Sequence, residues 1–153
     1  MNGPLSQALQ SVGIRVCHHP VLVTAPPPSW KAFDAAWHQR QQVDWVGFTS
    51  QRAVRGFSQR LATLGGNLAE LSHCKIACIG PSTAEAWIAL GGQLPLVPKV
   101  FHAEALGEVM LRKGITAGHC CWLPQALQAR EVLGVLLREA GIKALETPTY
   151  QIL

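Results

Sequence analysis

The strongest constraint on this chain is an alternation. Short, almost uninterrupted apolar runs recur along it, each followed by a segment of helical period. A strand that reads as continuously apolar is buried on both faces, so repeated runs of this kind indicate a parallel sheet covered by helices on both sides. The strand-like runs are "VLVTA" (21–25), "VDWVGF" (43–48), "KIACIG" (75–80), the short "QLPLVP" (93–98), "HCCWLP" (119–124) and "IKALETP" (142–148). Helical period follows at 30–41, 50–64, 81–90, 103–114 and 129–141. With right-handed crossovers, the simplest topology is a flavodoxin-like doubly wound parallel sheet with helices on both faces.

Punctuation supports these bounds. Ser29 precedes the first helix as a candidate cap, Gly65-Gly66 stops the second, and Pro81 sits at the first position of the third with Gly91-Gly92 behind it. The two ends do not follow the pattern. Residues 1–19 read as a helix and the strand "IRVCHH", and "TYQIL" (149–153) is extended with no helix after it. They resemble remnants of a second α/β domain.

Composition narrows the class. Of 153 residues, 48% are hydrophobic and only 14% charged, which favours a packed core over disorder. No run reaches the roughly 18 apolar residues of a membrane span, and "MNGPLSQALQ" lacks the basic start and apolar run of a secretory signal, so a cytoplasmic protein is expected. The net charge of +4 is scattered, which suits a small anionic ligand better than a nucleic acid. Five cysteines, an odd number with no C-x-x-C, all lie in apolar runs and read as buried thiols. Cys74 and Cys78, four apart, fall on one strand face. His18 and His19 have no further ligands at metal spacing, so no metal site is expected.

In an open α/β sheet, ligands bind beyond the carboxyl ends of the strands. Three such corners stand out. The first is Phe48-Thr49-Ser50-Gln51, where Thr49 or Ser50 caps a helix. The second is Ile79-Gly80-Pro81-Ser82-Thr83, where Gly80 admits a ligand to the backbone and Ser82 and Thr83 line the first turn. The third is Leu123-Pro124-Gln125-Ala126, leading into a helix that carries Arg130. Free N–H groups and the helix dipole suit such corners to carboxylates or phosphates, although capping alone also accounts for the hydroxyls. Arg52 and Arg55 read as solvated helix surface. Tyr150, the single tyrosine, either projects its hydroxyl into a cleft as a proton donor or packs along an edge strand. The usual nucleotide-binding, serine-hydrolase and zinc-protease motifs are missing from the sequence.

Four segments, in order, resemble one family. "WVGFTSQRAVRGF" is similar to the "FTS-x-x-A-V" segment of uroporphyrinogen-III synthases, and "KIACIGPSTAEAW" to their "IGP-x-T-A-x-A" segment. "LPLVPKVFHAEAL" matches their "V-P-x-x-F-x-A-E-x-L" pattern. "WLPQALQAREVLGVLLREAGIKALETPTYQIL" follows their "LLP-R-G-x-x-A-R-x-x-L" to "Y" stretch, with Gln125-Ala126 in place of "R-G".

The resemblance implies two α/β domains joined by a two-stranded connector. Residues 1–19 would be part of the first domain, 20–28 one connector strand, 29–147 a complete second domain and 148–153 the returning connector. It implies cyclisation of hydroxymethylbilane, an anionic linear tetrapyrrole, to uroporphyrinogen III with inversion of the last ring and loss of water. No cofactor, nucleic acid or membrane is implied, and a monomer is expected. Thr49, Ser50, Gln51, Gly80, Pro81, Ser82, Thr83 and Arg130 would hold substrate carboxylates, and Tyr150 would assist departure of hydroxide. Against the family's pattern, an opening strand and a closing half-domain are expected to be missing, so this chain alone is expected to have little or no synthase activity. The alternatives are an inactive family remnant or tetrapyrrole-binding module, and an unrelated flavodoxin-like sensor.

Overall fold

The structure is a computed structural model that describes residues 23–153. The expected helix and strand within 1–19, with Cys17, His18 and His19, and the start of the connector at 20–22, lie outside the described residues. From Val23 onward the order is β1 (Thr24–Ala25), α1 (Lys31–His38), β2 (Trp45–Phe48), α2 (Gln51–Thr63), β3 (Lys75–Cys78), α3 (Pro81–Ala89), α4 (Ala103–Arg112), β4 (Cys120–Ala126), α5 (Val132–Glu139) and β5 (Lys143–Ile152). Short 3-10 turns at Arg40–Gln42 and Leu68–Leu71 join some of them.

The expected α/β architecture holds. The sheet order is β1-β5-β4-β2-β3, with β2 parallel to both β3 and β4 and β4 parallel to β5. Adjacent residues of the central strands go to opposite faces, and both faces are covered. Val46, Phe48, Ile76, Cys78, Cys120 and Trp122 pack with α1, α2 and α3. Trp45, Ala77, Cys121 and Leu123 pack with α4 and α5. Cys74 and Cys78 do share a face, and the four described cysteines are free and buried.

Aromatic side chains make up much of the first core. Phe33 of α1 meets Trp122 edge-on at 5.0 Å, and Phe57 of α2 meets Phe48 at 5.3 Å and Trp122 at 5.1 Å. The indole N–H of Trp122 donates to Thr147 Oγ1 at 2.8 Å, which satisfies a group that burial would otherwise strand. Arg60 of α2 forks onto Asp34 of α1 at 2.6 and 3.0 Å and ties the two helices together.

Several local bounds differ from the sequence reading. "QLPLVP" contributes only a single parallel bridge, Leu96 to Ala77, because its two prolines cannot donate to a ladder. Ser29 accepts from the Lys31 N–H at 3.1 Å, but Trp30 occupies the cap position of α1. The last helix begins at Val132, three residues later than the apolar period suggests. "IKALETP" and "TYQIL" form one strand, β5, which crosses the expected 147/148 boundary without a break. The change there is one of partner. Lys143 to Tyr150 run beside β4, with an irregularity at Gln125/Ala126, and Gln151 and Ile152 pair antiparallel with β1.

Candidate functional site

Two segments a hundred residues apart build the site. Ser50 caps α2, its Oγ accepting from the Ala53 N–H at 3.1 Å. The same Oγ lies 3.3 Å from the Tyr150 hydroxyl. A serine hydroxyl has one hydrogen and two lone pairs, so with one lone pair committed to Ala53 it still has a hydrogen to give. In the polarity where Ser50 donates to Tyr150, the phenol hydrogen is free for a ligand.

The backbone around Tyr150 is held from both sides. Its carbonyl accepts from Leu127 N at 2.8 Å. The Gln128 side chain brackets Ile152, accepting from its N–H at 3.2 Å and donating to its carbonyl at 2.9 Å. On the other edge, Gln151 Nε2 donates to the Pro26 carbonyl at 2.9 Å. α2 lies close against this strand because residue 56 is glycine: a Cβ there would be 2.6 Å from the Thr149 carbonyl oxygen.

Between β1, α2 and the end of β5 lies a pocket of about 310 Å³, at the small end of ligand sites. Tyr150, Thr149, Trp30, Arg52, Arg55 and Gln59 are in its wall. There is no carboxylate in that wall, and the N-terminus of α2 adds its positive dipole end nearby. The local field favours an anion.

The sequence candidates therefore divide. Ser50 and Tyr150 come together, with Thr49 and Gln51 beside Ser50 at the same corner. Gly80, Pro81, Ser82 and Thr83 form the neighbouring corner, at the end of β3, and do not line this pocket. There Gly80 caps α3 with no side-chain bond, which leaves first-turn N–H groups without an internal partner. Gly80 is buried rather than open to a ligand: Phe101, itself 58% exposed, lies over it, 3.5 Å from where a Cβ would sit. Ser82 is exposed, while Thr83 is buried at 3%.

The third corner needs correcting. Pro124, Gln125 and Ala126 are residues of β4, and the turn follows them. Arg130 is in that turn and exposed, not on a helix, because Leu127 and Gln128 are tied to β5 before α5 starts. The sequence reading takes Arg52 and Arg55 as solvated helix surface; both are indeed exposed, and both also line the pocket. Their signal is present in the sequence: two cations near a helix start whose first turn has no acid.

No group of three or more His, Cys, Asp or Glu among the described residues is arranged to hold a metal. No helix among them is long and apolar enough to cross a membrane. Burial pushes the thiols of Cys74 and Cys78 up to about 12 and raises that of Cys121 further, so none of the three supplies a thiolate at neutral pH.

The family model for uroporphyrinogen-III synthase HemD matches residues 3–153. A uroporphyrinogen-III synthase of Synechococcus elongatus is 30% identical over 151 residues, covering 98% of this chain and 56% of the relative. Among solved structures, a mutant uroporphyrinogen III synthase of Thermus thermophilus superposes with a TM-score of 0.77 at 21% identity, covering 99% of this chain and 59% of that one. The wild-type protein in another crystal form gives 0.68 at 23% identity, over 96% and 57%. The chain thus spans somewhat over half the length of the relatives it matches, and the two superpositions give the same fold.

Proposed function

Since the chain belongs to the uroporphyrinogen-III synthase family, we propose that it acts on hydroxymethylbilane, holding the linear tetrapyrrole for closure to uroporphyrinogen III. The observation that carries this reading is the Ser50–Tyr150 hydroxyl pair, 3.3 Å apart beside an acid-free pocket. In this reading the corner residues Thr49, Ser50 and Gln51 and the first-turn N–H groups of Ser82 and Thr83, behind Gly80 and Pro81, donate to acetate and propionate arms, with Arg130 as an exposed cation in the loop after β4.

The chemistry asks little of the protein beyond geometry. Electrons from the terminal pyrrole expel the hydroxyl, which leaves as water with the Tyr150 proton. The freed methylene carbon then bonds to the substituted α-carbon of the last pyrrole, whose existing bond to its own methylene breaks and re-forms at that ring's other α-carbon. The last ring is thereby inverted as the macrocycle closes, and the proton lost from that carbon as the pyrrole regains aromaticity balances the one donated. Holding the chain folded supplies the greater share of the acceleration, because ring closure of a bound substrate is unimolecular. In this reading the protein is a cytoplasmic monomer that uses no metal, organic cofactor or nucleic acid. Residues 29–147 act as the second domain, and 20–28 with 148–153 as the connector.

The test is incubation with enzymatically generated hydroxymethylbilane and separation of the type I and type III isomers. Type III above the spontaneous background supports the reading, and Tyr150→Phe should then lower its rate by on the order of a hundredfold. Tetrapyrrole binding without type III product would favour a binding module, and neither result would refute both.

A further inference from the structure

We infer that Arg52 and Arg55 form a two-guanidinium clamp that takes one carboxylate arm of the substrate and sets the bound pyrrole against Tyr150. This deepens the reading above and rests on it.

The two residues are three apart on α2, which puts them on one face of the helix, and both line the Tyr150 pocket. Neither has an acidic partner. The ion pairs among the described residues engage Arg40 with Glu70, Arg60 with Asp34, Arg138 with Glu146 and His102 with Glu104. All nine acids of the chain lie between residues 34 and 146, so the segment before Val23 has none to offer. Among the described residues the one side-chain hydrogen bond of Arg55 is a long 3.4 Å bond to Gln51 Oε1, which leaves most of its donors open to a ligand there.

Their position also works against the fold. Arg52 is the second residue of α2 and Arg55 the fifth, at the end where the helix dipole is positive and disfavours cations. Arg60, a turn and more further on, is where a cation belongs, and it is locked to Asp34 over the Trp30 ring. Two cations at the wrong end of a helix, facing an acid-free pocket, break a local rule with no structural gain, which is the mark of a functional position. A carboxylate seated between the two forks accepts charge-assisted bonds from both and removes the repulsion.

Uroporphyrin III is the probe, titrated into the 153-residue chain by tryptophan quenching at low and moderate salt, beside a thermal melt of each variant. Arg52→Gln and Arg55→Gln should each raise Kd about tenfold, and the double variant about a hundredfold. Melting midpoints should stay level or rise. The double lysine variant should recover part of the loss, since it keeps charge but not the fork. Wild-type affinity should fall with salt, and the double glutamine variant should lose most of that dependence. Coproporphyrin, with methyl groups where uroporphyrin has acetates, should bind more weakly to wild type and nearly alike to the double variant. A double glutamine variant that binds as wild type overturns the clamp and leaves the family reading intact. One that melts lower than wild type also overturns it, because the two charges would then be serving the fold. A wild-type chain that does not bind uroporphyrin overturns the reading on which the clamp rests, and the clamp with it.

Discussion

Gly56→Ala tests how tightly the site is built. The added Cβ would lie 2.6 Å from the Thr149 carbonyl oxygen, 3.0 Å from Thr149 Cβ and 3.2 Å from its carbonyl carbon. Ordinary contact begins near 3.4 Å, so α2 and β5 must separate by several tenths of an ångström. The obstacle is backbone of a strand held on both edges, and it cannot swing away. Overpacking of this kind costs about 1–3 kcal/mol. Alanine returns up to about 1 kcal/mol over glycine inside a helix. With the full return taken, the net is a destabilisation of up to about 2 kcal/mol, or up to roughly 8 °C in melting midpoint for a chain of this size.

The same separation acts on function. The Ser50–Tyr150 distance of 3.3 Å is already long for two hydroxyls, so any retreat of α2 breaks that bond. Gly107→Ala is the matched control. It also adds a methyl inside a helix, but what it meets are the ends of Leu136 and Leu133 side chains, 3.3 and 3.4 Å away, which can rotate. Its midpoint should stay within about 2 °C of wild type, because the propensity gain offsets the crowding. Thermal melts by circular dichroism, with uroporphyrin titrations of the same samples, decide the matter. A Gly56→Ala protein that melts at or above wild type would refute the claim that the α2–β5 approach needs glycine.

Three further outcomes are expected. Thr147→Val, nearly isosteric and only 2% exposed in the wild type, leaves the buried Trp122 indole N–H without an acceptor; chemical denaturation should show a loss of about 1–3 kcal/mol. Ser50→Ala removes a helix cap and the partner of Tyr150 together, so it should cost about 1 kcal/mol in the melt and also lower tetrapyrrole turnover or binding. The Cys74 and Cys78 thiols, raised by burial to about 12 from an ordinary 9.0, stay protonated in the fold after the unfolded chain has ionised. Their contribution is therefore intact below about pH 9 and is lost as pH rises from there toward 12, so unfolding midpoints should fall across that window, while a thiol reagent at about pH 8 should label these two residues only after unfolding.

Local rules made much of the fold legible. Continuous apolar runs revealed strands buried on both faces, as with Val46 and Phe48 turned one way and Trp45 the other. Ser50, Pro81 and the glycine at 91, with its positive φ of 86°, marked helix ends for reasons carried by single residues. What failed was set by distant contacts. Arg130 continues the apolar period of a helix, yet Gln128 is drawn to Ile152 and α5 does not start until Val132. Gly80 has the composition of an open phosphate-type corner, and nothing in its own neighbourhood predicts that Phe101 lies over it.

The pocket was the least legible part, and the reason is physical. The Ser50 and Tyr150 hydroxyls beside it are separated by a hundred residues and meet because β5 stays paired with β4, past the irregularity at Gln125/Ala126, as far as Tyr150. That pairing sets Tyr150 beside the start of α2, and Gly56 lets the helix come close enough for Ser50 to reach it. One serine then has two tasks, ending a helix and orienting a phenol, so its sequence signal is that of an ordinary cap. The arginines escape notice for a related reason. Taken alone, an exposed arginine on a helix is surface. It becomes informative only when its charge is set against the helix dipole, the absence of any acid before residue 34 and the pocket it faces. A site that binds anions and leaves bond-making to its substrate needs no reactive triad, so its trace in a sequence is a mismatch between what the fold prefers and what the chain contains.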